Sequence, residues 1–272
     1  TGVQTCALPI CNDYLYIYSE KEPVNPGELS KRLSDRHFGA GSDGIVYILP
    51  SATADFKMRI FNADGSEAKM CGNGIRCVGK YLFDKGYTTQ KNLKIETLSG
   101  IKTLSLSVKD GKVREVSVHM GKAVVGVEKV LTVCGQALRC IPVSVGNPHC
   151  VVFTENAEEA PLTTVGAALE KHPAFEGGVN AEFVQFLGNN ELRMRVWERG
   201  SGITLACGTG ACASAAAAVR EGLCRPGEDI QVHLDGGTLR ICVFKDGDVV
   251  MTGPAETVYE GETTDGEAEC AL

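Results

Sequence analysis

The chain lacks the features that mark many common binding roles. It has no apolar run near 18 residues, so no segment reads as a membrane span. No basic run exceeds two residues and the formal charge is −7, which makes nucleic acid and acidic membrane surfaces poor partners. A small anionic or zwitterionic ligand is not excluded, because local donors decide that. The start of the chain has no basic region followed by an apolar core, so no signal peptide is expected and the expected location is cytoplasmic. The 12 cysteines are then mostly reduced thiols, not the framework of a short secreted protein. No Cys-x-x-Cys pair occurs. Cys71 and Cys77 are six apart and Cys207 and Cys212 five apart, and neither spacing sets both thiols on one helical face. His37, His119, His149, His172 and His233 are scattered, so no metal is expected.

What the chain does have is length and apolar content. With 272 residues, 43% of them hydrophobic, two α/β domains are the natural expectation at roughly 150 residues each. The pattern predicts a strand at "NDYLYIYS", a helix at "PGELSKRLSDRHF" and strands at "GIVYILP" and "FKMRIFNAD". A helix after Cys71, closed by Gly86, leads into strands at "LKIETLSG", "IKTLSLSVKDG" and "KVREVSVHM". The second half repeats the style. It has strands within "QALRCIPVSVGNPHCVVF", a helix at "APLTTVGAALEKH", and a hairpin turning at Gly188-Asn189-Asn190. A helix after Cys207 and closing strands follow. "GAGSDG" (39–44) matches a dinucleotide-site pattern, but a helix precedes it and a strand follows, so it reads as a loop. "TGVQTCALPI" has no clear period and resembles a translated sequencing adapter. Residues 1–10 are set aside as foreign, the alternative being an irregular first strand.

One internal repeat outweighs any single motif. "MRIFNADGSEAKMCGNG" (58–74) aligns with "MRVWERGSGITLACGTG" (194–210) at an offset of 136, and Gly86 then meets Gly222. Each copy has a strand, a polar loop, a Cys-Gly-x-Gly turn and a helix. The domains this predicts are 1–118 plus 255–272, carrying Cys71, and 119–254, carrying Cys207.

A helix N-terminus has unpaired N–H groups and a partial positive charge, so a thiolate there is stabilised. Glycines beside it let an anion reach the backbone amides. Two such sites can set one thiol on each side of a bound α-carbon. One thiolate removes the α-proton and the opposite thiol protonates the other face, inverting the centre. Cys77, Cys134, Cys140, Cys150, Cys212, Cys224 and Cys242 read instead as small core residues.

The stretches "FNADGSEAKMCGNGIRC", "VGNPHCV", "NAEFV", "WERGSGITLACGTGAC" and "MTGPAETVYEGE" resemble the diaminopimelate epimerase family from Asn12 to about Glu262. The resemblance implies two pseudo-symmetric α/β domains, each a curved mixed sheet around a central helix. It implies no metal and no pyridoxal phosphate, a diaminopimelate substrate, and it admits a homodimer. Cys71 and Cys207 become the acid/base pair. The reacting carboxylate falls to the amides of Gly72, Asn73, Gly208 and Thr209. The distal amino-acid head falls to Asn62, Asn147, Asn180, Glu198 and Arg199, whose types suit a carboxylate and an ammonium.

Three departures stand out. Only Asn12-Asp13-Tyr14 remains of the family's opening stretch, with Cys11 in place of a glycine, so an unpaired sheet edge and a disturbed Asn12 are expected. Gly44 stands where some members carry a substrate-binding Gln, and Ile203 replaces a common Glu. A proline or hydroxyproline racemase-like enzyme is the rival on the same architecture. It has a His where this chain has Asn73, and a cyclic substrate needs no Glu198–Arg199 pair. A non-catalytic carboxylate-binding protein is the rival of another class.

Overall fold

The computed structural model describes residues 2–6 as backbone and residues 13–262 in full. The chain divides into two compact units, one of residues 1–118 and 253–272, the other of residues 119–252.

The first unit runs β1 (Gly2–Cys6), β2 (Tyr14–Tyr18), α1 (Pro26–Ser34), β3 (Gly44–Leu49), β4 (Phe56–Asn62), β5 (Glu67–Ala68), α2 (Gly72–Asp84), β6 (Asn92–Thr97), β7 (Gly100–Lys109) and β8 (Lys112–Lys122). The second runs β9 (Val124–Val125), β10 (Lys129–Val133), β11 (Gln136–Ser144), β12 (Pro148–Phe153), a π turn at Leu162–Gly166, α3 (Ala167–Glu170), β13 (Asn180–Gly188), β14 (Glu191–Glu198), β15 (Gly202–Ile203), α4 (Gly208–Arg220), β16 (Asp229–Leu234), β17 (Gly237–Val243) and β18 (Asp248–Pro254). The chain then returns to the first unit as β19 (Tyr259–Glu262).

The repeat seen in the sequence is a repeat of topology. In the first unit β2 pairs parallel with β3, β3 antiparallel with β4, β4 antiparallel with β5, and β4 parallel with β6 beyond α2. In the second, β12, β13, β14, β15 and β16 repeat these pairings around α4. The composition explains the arrangement. Strand β3, "GIVYIL", is buried along its whole length, as a parallel strand covered on both faces must be. Helix α2 is buried from Gly72 to Leu82 and α4 from Gly210 to Ala218, so neither has a solvent face to speak of. The alanine run of α4 is what lets a helix fit among the strands β11, β12, β13, β14, β16 and β17. At Gly79 of α2 a Cβ would stand 2.8 Å from a Leu106 methyl and 3.0 Å from a Leu104 methyl, so a larger residue would have to push these β7 side chains aside.

Several expectations are corrected. The sheet edge at the N-terminus is not left open, because residues 2–6 pair antiparallel with both β2 and β19. The first helix stops at Ser34, where the Asp35 carboxylate accepts the backbone N–H of His37 (2.7 Å) and Phe38 (2.8 Å) and turns the chain. The helix expected over 160–172 is a π turn plus four α residues. There a Cβ on Gly166 would lie 2.9 Å from Trp197 Cβ, and the Trp197 indole donates to Glu170 at 2.6 Å. Packing on β14 overrides the helical pattern. Cys134 is exposed, not in the core, since Cys134 and Gly135 (φ 50 and 78) form the tight turn between β10 and β11. Cys77 is buried as expected but disulfide-bonded, while Cys140, Cys150, Cys212 and Cys224 are buried free thiols. Among the described residues no helix is long and apolar enough to cross a membrane.

Candidate functional site

Both repeated cysteines are helix N-caps. Cys71 and Cys207 have extended backbone (φ −134, ψ 116 and φ −124, ψ 107), and each sulfur accepts the N–H three residues on, Gly74 N and Gly210 N, at 3.3 Å. A thiol thus takes the place that Ser or Asp usually fills, and its sulfur sits among the free amides of the first turn. Each cysteine oxygen also accepts the first helical bond, from Ile75 (3.0 Å) and Ala211 (2.9 Å).

In the first unit, Cys71 is half-buried and is followed by the buried Gly72, Asn73 and Gly74. The Tyr16 hydroxyl donates to Gly74 O at 3.1 Å, and burial pushes this phenol well up, with Cys71 adding to the shift. Arg76 is fully buried one turn into α2 and donates to Gly72 O at 3.3 Å. Asn62 ends β4, where its amide donates to Ser66 Oγ at 3.0 Å and its oxygen meets the Tyr14 hydroxyl at 3.5 Å. Gly44 pairs with Asn62, and a Cβ there would lie 2.2 Å from Phe61 O, so this backbone admits no longer side chain at 44. Asn12 lies outside the described residues.

In the second unit the expected residues fall into separate hydrogen-bonded groups, one around Cys207 and one around Asn180 and Arg199. Asn147 Nδ2 donates to Thr209 Oγ1 at 3.2 Å, and Thr209 Oγ1 lies 3.6 Å from Cys207 Sγ. Asn180 accepts the Arg199 N–H at 2.9 Å and donates to Pro148 O at 3.1 Å. Glu198 accepts the Thr204 hydroxyl and lies near enough to Cys207 for its charge to raise the thiol. The Arg199 guanidinium donates to Gly177 O at 2.9 Å and lines a cavity of about 520 Å³ with Glu170, His172 and Phe175.

Two residues escaped the sequence reading. His149 and Glu182 are both buried, and Nδ1 of one lies 2.6 Å from Oε1 of the other. His149 Nε2 lies 3.0 Å from Asn147 Oδ1. The signal was present in "VGNPHCV" and "NAEFV", but only as family wording. Parallel β12 and β13, with Cys150 opposite Ala181 and Val151 opposite Glu182, bring the pair together. The ligand atoms of His149, Glu182 and Cys207 lie within 4.8 Å of one another, a donor set of the kind a metal uses. His149 and Glu182 already engage each other, so the cluster is a hydrogen-bonded network as it stands.

The electrostatics of this network depart from the simple helix-entrance expectation. Burial pushes the Cys207 thiol well up, and the Glu198 and Glu182 carboxyls push the same way. The Thr209 hydroxyl and the Gly210 N–H pull it down but do not win. Burial also raises Glu182, opposed by His149, and raises Glu198, opposed by Thr204. Cys207 therefore rests as the protonated thiol, suited to giving a proton.

Known proteins agree on the kinship of the chain. The family described as diaminopimelate epimerase matches residues 10–126 and 141–258. A diaminopimelate epimerase of Acetivibrio thermocellus is 48% identical over 92% of this chain and 94% of its own. One of Methanococcus maripaludis is 48% identical over 92% and 95%. Among solved structures, a PhzF-family phenazine biosynthesis protein of Bacillus anthracis has a TM-score of 0.75 at 17% identity, covering 96% of this chain and 98% of that one. A probable proline racemase of Agrobacterium radiobacter has a TM-score of 0.74 at 17% identity, covering 97% and 93%. These two likenesses concern the fold alone.

Proposed function

The chain belongs to the diaminopimelate epimerase family, and from that premise we propose that it interconverts LL- and meso-diaminopimelate with two cysteines as acid and base. The duplicated cysteine N-cap carries this reading, since each half offers one sulfur among the free amides of a buried helix.

In the direction that uses Cys71 as base, its thiolate takes the α-proton. The C–H electron pair moves into the substrate carboxylate, and the Cys207 thiol gives its proton to the opposite face of the carbon. The reverse direction exchanges the roles. The amides of Gly72, Asn73, Gly208 and Thr209 stabilise the charge that grows on the carboxylate. Moving the proton takes only these groups, so the step as drawn calls on no cofactor. Asn62, Asn147, Asn180, Glu198 and Arg199 hold the distal amino-acid head, with Asn12 as a further contact. Asn147 also bonds Thr209, so it links the distal and reacting ends. The setting is a cytoplasmic amino-acid and cell-wall precursor synthesis.

Incubation of the protein with LL-diaminopimelate in heavy water tests this. The expected product is meso-diaminopimelate with deuterium at the inverted carbon. Exchange into proline instead would establish the racemase rival. No exchange into any amino acid would leave a carboxylate-binding protein.

A further inference from the structure

We propose that Glu182 is a positioning residue that acts on Cys207 through His149, Asn147 and Thr209. The inference rests on the reading that Cys207 passes between thiol and thiolate during epimerisation.

The contacts form one unbroken path. They run from Glu182 Oε1 to His149 Nδ1 (2.6 Å), from His149 Nε2 to Asn147 Oδ1 (3.0 Å), from Asn147 Nδ2 to Thr209 Oγ1 (3.2 Å), and from Thr209 Oγ1 to Cys207 Sγ (3.6 Å). An amide oxygen can only accept, so Nε2 carries a proton. The amide nitrogen donates to Thr209, which leaves the one hydroxyl proton of Thr209 to turn toward the sulfur. Each proton on the path points at Cys207, the arrangement that favours its thiolate.

Glu182 holds this polarity in place. With Nε2 protonated, Nδ1 and the Glu182 carboxyl share one further proton. Losing that proton would leave a bare negative charge on a fully buried group whose Oε2 has no hydrogen-bond partner. Burial does raise the carboxyl, as retention of the proton requires. Without the carboxyl, a neutral His149 is free to carry its proton on Nδ1. Nε2 then becomes an acceptor, the Asn147 amide turns over, and the Thr209 proton is drawn away from the sulfur. The helix makes room for the carboxyl: a Cβ on Gly210 would lie 2.9 Å from Glu182 Oε1. The titratable groups around Glu182, which lies on β13, are His149 and Cys150 from β12, Glu198 from β14, and Cys207 at the entrance of α4. The first half has no counterpart, because Val46 holds the equivalent place on β3.

The test is alkylation of Cys207 in the full chain carrying Cys71→Ala, without substrate. Iodoacetamide labelling of the Cys207 peptide is followed by mass spectrometry from pH 6 to 10. Glu182→Met should slow labelling at pH 8 about tenfold, the equivalent of about one pKa unit. Glu182→Gln should restore most of the rate, because its amide can donate to Nδ1 and keep Nε2 protonated. Thr209→Val should slow labelling as Glu182→Met does, and the double variant no further. Both substitutions at 182 remove the same charge, so faster labelling in both would mean that Glu182 merely opposes the thiolate, which overturns the proposal. Unchanged labelling in both overturns it too. Should Glu182→Met fail to fold, nitrogen NMR of histidine-labelled protein decides: His149 carries its proton on Nε2, and an unprotonated Nε2 sinks the relay. Labelling needs no turnover, so a protein that fails the heavy-water test can still pass this one, and the reverse.

Discussion

Tyr14 and His149 occupy the same place in the two halves of the chain. Tyr14 lies opposite Gly44 on a parallel neighbour, and Gly44 lies opposite Asn62 on an antiparallel one. His149 lies opposite Asn180 in the same way, and the β13–β14 register carries Asn180 to Glu198. The two halves share a frame, but the first fills it with a phenol and the second with an ionisable pair. The proposed exchange of protons between two thiols would therefore draw on unequal surroundings, with a buried titratable network on the Cys207 side alone.

This asymmetry has a stability signature. His149→Ala removes one partner of the buried pair and leaves the Glu182 carboxyl without its hydrogen-bond partner, at a cost of about 1–3 kcal/mol beyond the lost packing. The matched change Tyr14→Phe removes a hydroxyl that meets Asn62 at 3.5 Å and leaves no buried carboxyl behind, so it should cost less, about 1 kcal/mol. Replacing the pair together, His149→Leu with Glu182→Met, should recover most of the loss. Urea unfolding of the variants checks this. Equal losses for Tyr14→Phe and His149→Ala would show that the pair is not special.

The glycines of the two cysteine turns should also differ. A Cβ at Gly210 meets Glu182 Oε1 at 2.9 Å, Cys207 Sγ at 3.1 Å and Cys207 Cβ at 3.2 Å. At Gly74 the nearest atoms are Cys71 Cβ at 3.4 Å and its sulfur at 3.6 Å, which is ordinary contact. Gly210→Ala should therefore lower stability by about 1–3 kcal/mol and displace the sulfur, with a steep fall in kcat. Gly74→Ala should fold within about 1 kcal/mol of the wild type, helped by the helix preference of alanine. Thermal melts and kcat for both variants decide it, and equal tolerance at the two positions would contradict the packing.

Glu198 gives a pH-dependent prediction. Burial raises its pKa from the ordinary 4.5. A folded value above the unfolded one means that the protonated form is favoured by folding. That contribution is complete below about 4.5 and is lost as pH rises through the folded value. Above the folded value the wild type carries an ionised, half-buried carboxylate, whereas Glu198→Gln carries none and can still accept from Thr204. The variant should therefore gain stability relative to the wild type as pH rises above 4.5, and the difference between them should be smallest near 4.5. A gap that widens on acidification would reverse the assignment. Activity should fall in the same variant, since Glu198 belongs to the proposed distal site.

Much of the fold could be read from the chain because the repeat is written in residues that the backbone demands. Met58, Arg59, Cys71 and Gly86 recur as Met194, Arg195, Cys207 and Gly222, and both helix ends use the positive φ of those glycines (79 and 74). The segment around Leu162–Gly166 was not legible. Its helical pattern is local, while the Trp197 side chain that reshapes it comes from a strand about 30 residues away in sequence. His149 and Glu182 were hidden for a similar reason. Each is an ordinary polar residue in its own strand, and only the register of β12 against β13 makes them a pair. The direction of the Cys207 shift was also beyond the pattern "ACGTG". A helix entrance alone lowers a thiol, but here desolvation and two carboxyls prevail.

Serine substitution separates what the two cysteines do for folding from what they do for chemistry. Each sulfur caps its helix by accepting the third N–H of the turn, a task at which a serine hydroxyl is at least as good. Cys71→Ser and Cys207→Ser should each unfold within about 1 kcal/mol of the wild type, whereas the alanine variants should lose about 1 kcal/mol of cap energy. A serine hydroxyl is far too weak an acid to supply the base, so either serine variant should lose about 10²- to 10⁴-fold in kcat/KM in both directions. The loss must be the same in the two directions, because the equilibrium between the substrate stereoisomers fixes the ratio of the two kcat/KM values. Near-normal turnover in either serine variant would show that one sulfur is only a cap, and a single-base route would have to replace the two-thiol exchange.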